Sequence, residues 1–115
     1  MVAVFQPHLF SRTRALADEF GRALAAADIV VVVAIYPARE RAEDFPGVNG
    51  RAVAAAAADA DGARPVAWFP ETVGAETYLQ GALRHHDLCL VIGAGNIDAL
   101  GRALVADAGE DGRAG

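Results

Sequence analysis

Hydrophobic positions along this chain gather into four short continuous runs, Val2–Phe5, Ile29–Ile35, Val66–Phe69 and Leu88–Ile92. None of them alternates strictly with polar residues, and valine and isoleucine are frequent among them. Strands covered by helices above and below have this pattern, because both of their faces are buried. The stretches between the runs have helical spacing instead. Over Thr13–Ala27 the apolar positions are Leu16, Phe20, Leu24 and Ala27, with Asp18, Glu19 and Arg22 on the other side. Arg51–Asp61 is alanine-rich and stops at Gly62, a residue suited to ending a helix. Val73–Arg84 groups Tyr78, Leu79 and Leu83, and Asn96–Asp107 spaces Ile97, Leu100 and Leu104 for burial. The order β-α-β-α-β-α-β-α predicts an α/β fold: three layers, α/β/α, around a mainly parallel sheet with right-handed crossovers.

Residues 2–107 make up the predicted domain, and 108–115, nearly free of apolar side chains, a disordered tail. Arg39–Gly50 is expected to be a long loop, since Pro46-Gly47 and Asn49-Gly50 interrupt any helix there. The first strand starts at residue 2, whereas the first strand of such a sheet usually lies near its middle. The expectation is an N-terminally truncated domain that lacks its first strand, with an exposed sheet edge that favours self-association.

Charge and composition narrow the functional classes. A chain of 115 residues with 54% apolar and 22% charged content has room for one domain. Its net charge of −5 gives no electrostatic footprint for nucleic acid. All ten basic residues are arginine. A phosphate loop of the G-x-x-x-x-G-K-[ST] type is therefore excluded, because its lysine is missing. The single cysteine, Cys89, rules out an internal disulfide and sits in an apolar run, as a buried thiol would. The longest aliphatic run is too short to span a bilayer, and no basic segment precedes a signal-like hydrophobic stretch, so a cytoplasmic location is expected.

Candidate chemistry lies where strands give way to helices, the end of an open α/β sheet at which ligands bind. After the first run comes Gln6-Pro-His-Leu-Phe-Ser-Arg12. His8 there can donate to a carboxylate or move a proton, Arg12 can present a planar fork to a carboxylate or phosphate, and Ser11 can cap the following helix. The same residues would also suit an ordinary capping turn with a solvated His and Arg. Tyr36 and Arg39-Glu40 follow the second run, as a ligand contact or as a plain loop ion pair. Gly93-Ala-Gly-Asn96 follows the last. It is not a dinucleotide fingerprint, since the third glycine would fall on Asp98. It remains a glycine turn that lets the backbone approach a ligand or another domain ahead of a helix. Tandem His85-His86 lacks a third ligand at suitable spacing, and no metal site is expected.

Taken in order, Phe5-Gln-Pro-His-Leu-Phe-Ser-Arg-Thr-Arg14, Ile35-Tyr-Pro-Ala-Arg-Glu40, Pro46-Gly-Val-Asn-Gly-Arg51 and Val91-Ile-Gly-Ala-Gly-Asn-Ile97 resemble the C-terminal domain of the UDP-N-acetylmuramate–L-alanine ligases, in the Mur ligase family. The resemblance runs from Val2 to about Ala106. It implies a Rossmann-like domain of an enzyme that uses ATP and Mg2+ to activate the muramoyl carboxylate for attack by the alanine amine in peptidoglycan precursor synthesis. The N-terminal and central domains of such an enzyme hold the UDP-sugar and the phosphate loop, which accords with the missing lysine. By the same resemblance His8, Ser11, Arg12 and Tyr36 would contact substrate, and Gly93, Gly95 and Asn96 would lie near the nucleotide, with no catalytic residue or metal ligand supplied by this chain. Two departures stand out. The family's opening strand with a D-Y-x-H-H-P motif is absent, and Leu9 stands where the family often has Arg, which leaves Arg12 to meet the alanine carboxylate. Competing readings are a ligase that recycles murein peptides onto the same sugar nucleotide, a non-catalytic α/β module for a nucleotide or anion, and a dinucleotide oxidoreductase fragment disfavoured by Asp98.

Without a lysine-bearing phosphate loop, the purified 115-residue chain is expected to release no phosphate from ATP. Magnesium-dependent phosphate release that co-purifies with the chain would contradict this.

Overall fold

The computed structural model describes residues 1–60, 64–83, 88–93, 97 and 99–105. The apolar runs form strands β1 (Val2–Phe5), β2 (Ile29–Val33), β3 (Val66–Phe69) and β4 (Cys89–Ile92). Helix α1 (Phe10–Leu24) joins β1 to β2, α2 (Arg51–Asp59) joins β2 to β3, and α3 (Thr72–Ala82) leads toward β4. A 3-10 turn, Ala42–Asp44, interrupts the loop ahead of α2. Positions 97 and 99–105 are helical again. All four strands are parallel, in the order β3-β2-β1-β4.

Alternate residues of β1, β2 and β3 enter two separate cores, as their continuous apolar runs require. Val2, Val4, Val31 and Val33 pack with Ala75 and Leu79 of α3 and with Ile97, Leu100 and Leu104. Ala3, Val30 and Val32 pack on the opposite face with Ala17, Leu24, Val53, Ala54 and Ala57 of α1 and α2. The three-layer α/β architecture is the predicted one. Among the described residues no helix is long and apolar enough to cross a membrane.

Helix α1 departs from its predicted form. It begins at Phe10 rather than Thr13, and its buried stripe is Thr13, Ala17, Gly21 and Leu24, with Leu16 and Phe20 only half-buried. The reason is the neighbouring α2. A Cβ added at Gly21 would lie 2.3 Å from Ala56 Cβ and 2.6 Å from the Ala57 nitrogen, so the two helices meet almost backbone to backbone. Small side chains are needed along that seam, and the longer Phe20 turns to meet Phe5 at a ring separation of 5.3 Å.

Strand β4 closes one edge of the sheet, and Cys89 there is half-buried rather than fully buried. Leu90 and Ile92 pair with Ala3 and Phe5, which places them on the α1/α2 face. With α1 and α2 packed over β1, β2 and β3, Leu88, Leu90 and Ile92 stay 59%, 40% and 43% exposed. This part of the face lacks a covering layer among the described residues.

The seam at Gly21 gives a direct test. Alanine normally stabilises a helix interior by about 1 kcal/mol relative to glycine. Here the added methyl meets backbone atoms that no rotamer change can move, and overpacking of that kind costs about 1–3 kcal/mol. Gly21→Ala should therefore lower the thermal midpoint of the chain; a rise would mean the helices can separate freely.

Candidate functional site

Beyond the strands, the carboxyl ends of β1 and β2 are tied into a single rim. Pro7, fully buried, has no N–H to give, but its carbonyl accepts the Tyr36 N–H at 2.8 Å. The Leu9 N–H donates in turn to the Tyr36 carbonyl at 2.9 Å. These two bonds make His8 and Tyr36 a parallel bridge past the end of the sheet, and their rings stack with centroids 6.0 Å apart. Both side chains are half-buried. Leu9 has a positive φ of 70°, a conformation that costs a branched side chain energy and turns the chain sharply from strand into helix.

The predicted role of Ser11 needs correction. The residue at the cap of α1 is Leu9, whose side chain caps nothing, and Ser11 lies inside the helix. Glu40, across the rim, supplies the missing acceptor. Its carboxylate takes the Ser11 N–H at 3.0 Å and a short hydrogen bond from the Ser11 hydroxyl. The Ser11 hydroxyl foremost, with the Ser11 and Phe10 amides and the positive charge of Arg14, holds the Glu40 carboxyl below the usual glutamate range. A lowered pKa means that this contact stabilises the fold above the ordinary carboxylate value and is lost as pH falls through the folded-state value. Glu40 was legible in the sequence only as half of an Arg39-Glu40 loop pair. A cap supplied from about thirty residues away leaves no local signature.

The rest of the loop docks on the same turn. Phe10 stacks on Phe45 at 5.9 Å, and the Arg14 guanidinium lies 5.2 Å above the Phe45 ring. Arg12, on the first turn of α1, is exposed and has no hydrogen-bond or ion-pair partner among the described residues. On the α3 side, Gln6, Ala34, Ile35, Tyr36, Pro37, Pro70, Glu71 and Thr72 line a cleft of about 420 Å³. Tyr36 borders this cleft, whereas Ser11 and Arg12 belong to α1, on the opposite face of the sheet.

Gln6 organises the centre. Its side chain is 3% exposed, donates to the Ala34 carbonyl at 3.2 Å and accepts the Ile97 N–H at 3.3 Å. Gly93, with φ +144°, comes so close that a Cβ there would lie 2.7 Å from the Gln6 carbonyl oxygen. The close approach foreseen for this glycine is thus made to Gln6 of the same chain. Gly95 and Asn96, and also His85 and His86, lie outside the described residues. Among those described, no group of three or more His, Cys, Asp or Glu is placed to hold a metal ion.

Gln6→Leu keeps the volume but leaves the Ile97 N–H and the Ala34 carbonyl without their side-chain partner. An unsatisfied buried group costs about 1–3 kcal/mol, which in a domain of this size lowers the thermal midpoint by several degrees. An unchanged melt of the variant would show that the rim does not depend on this amide.

No family model matches the chain. Its sequence is 48% identical over 104 residues to a UDP-N-acetylmuramate–L-alanine ligase of Chlorobium phaeobacteroides, a match covering 90% of this chain and 22% of that protein. The corresponding ligase of Chlorobaculum parvum is 46% identical over 114 residues, covering 99% of this chain and 24% of the relative. That of Chlorobaculum tepidum is 50% identical over 107 residues, covering 92% and 22%. The chain therefore spans less than a quarter of the length of these relatives. Nearly all of it, rim included, is homologous to one segment of the UDP-N-acetylmuramate–L-alanine ligases.

Proposed function

We propose that this chain belongs to the C-terminal domain of a cytoplasmic ATP-dependent ligase that joins L-alanine to UDP-N-acetylmuramate, and that it supplies amino-acid and nucleotide contacts while being inactive alone. The observation that carries the reading is the hydrogen-bonded His8–Tyr36 rim, with Arg12 on the first turn of the following helix and without a partner among the described residues, in a segment homologous to such ligases. Bound in the longer enzyme, ATP and Mg2+ would supply the activation of the muramoyl carboxylate. The residues here bind and orient. Arg12 would meet the alanine carboxylate through a charge-assisted fork, His8 and Tyr36 would border the same substrate with Ser11 behind them, and Gly93, Gly95 and Asn96 would lie toward the nucleotide.

In the longer enzyme, Arg12→Ala should raise the KM for alanine and leave that for ATP nearly unchanged. A charge-assisted bond to a carboxylate is worth about 1.5–3 kcal/mol, or roughly ten- to a hundredfold in affinity. Equal effects on both substrates would assign Arg12 to domain closure instead.

A further inference from the structure

We propose that Glu40 is a positioning residue, whose carboxylate on the first turn of α1 locks the 36–45 loop onto the β1–α1 elbow and so fixes the spacing of the His8–Tyr36 pair. The loop touches the elbow at three described places: the backbone bridge at Tyr36, the carboxylate of Glu40 and the ring of Phe45. Between the first two the chain is exposed at Pro37, Ala38 and Arg39, and Ala38 has a positive φ of 53°. A bond from the Glu40 N–H to the Pro37 carbonyl at 2.9 Å closes this turn and directs the side chain back toward α1. There it meets a helix end whose own cap residue, Leu9, offers no side-chain acceptor. The groups facing the carboxylate are the Ser11 hydroxyl and N–H, the Phe10 N–H and, at longer range, the Arg14 charge. Each favours the ionised form.

A second consequence follows for ligands. The N-terminus of α1 would attract an anion, but the chain already places one of its own there. A substrate carboxylate is then left to Arg12, one residue further along and without a partner among the described residues. This consequence rests on the ligase reading; the lock does not.

The test compares the wild-type 115-residue chain with Glu40→Gln by NMR across pH. In the wild type, the Ser11 amide, the His8 ring and the Tyr36 ring should share one titration step with a midpoint below the ordinary glutamate range. Glu40→Gln should abolish the step at all three and reduce hydrogen-exchange protection of the Leu9 and Tyr36 amides roughly tenfold. If only Ser11 responds, while His8 and Tyr36 keep their wild-type shifts and protection, Glu40 is a local cap and the proposal fails. Should Glu40→Gln not fold, Ser11→Ala retains the amide contacts and removes the hydroxyl donor. It should raise the shared midpoint, and a midpoint unmoved at His8 and Tyr36 would overturn the lock. In the longer enzyme, Glu40→Gln should raise the KM for alanine more than it lowers kcat. Loss of the shared NMR step with an unchanged alanine KM would keep the lock and reject the ligase reading of the rim.

Discussion

A single buried amide ties together the carboxyl end of the sheet. Gln6 continues β1 into the rim, where its backbone N–H donates to the Ile92 carbonyl and its side chain reaches the Ala34 carbonyl and the Ile97 N–H. The ends of β1, β2 and β4 and the helical residue Ile97 therefore meet at one residue. In a doubly wound sheet the gap between the strands whose connections run in opposite directions is the usual ligand crevice. Here that gap lies between β1 and β4, and Gln6 and Gly93 close it with their own backbones. The polar surface left open lies to one side of it, along the β1 and β2 elbows.

Those elbows act as one body because each satisfies the other's unpaired groups. The Leu9 N–H and the Pro7 carbonyl flank His8 and would be orphaned where the strand ends, and Tyr36 pairs with both. The first amides of α1 have no local cap, and Glu40 takes them. The Thr13 hydroxyl bonds back to the Leu9 carbonyl at 2.8 Å, which helps hold Leu9 in its unfavourable conformation. Strain at that one residue is sustained by hydrogen bonds on both sides, as at sites whose geometry matters more than their stability.

Below the rim, packing is set by small side chains. Alanine-rich α2 and the Thr13-Ala17-Gly21 stripe of α1 let two helices lie close together over a sheet of valines. The contact density that larger residues would give is reached by proximity instead. Among the described residues, such cover stops at the exposed Leu88-Leu90-Ile92 row.

The sequence by itself determined the strands, the layer order and the rim. β1 and β3 were legible to the residue, because each is an unbroken apolar run that ends at Gln6 or at Pro70. The positions of His8 and Tyr36 past the strands, and of Ser11 and Arg12 where the first helix begins, followed from the same apolar runs. Tertiary structure decided what local pattern cannot encode. Strand β2 stops at Val33 rather than Ile35 because the Ala34 carbonyl is claimed by Gln6 and Tyr36 is claimed by the bridge. The buried side of α1 shifted because its nearest neighbour is another helix at close range, which periodicity does not reveal. Ser11 became a donor to Glu40, and Gly93 a neighbour of Gln6, because both partners are distant in sequence and meet only when parallel strands bring their ends to one edge.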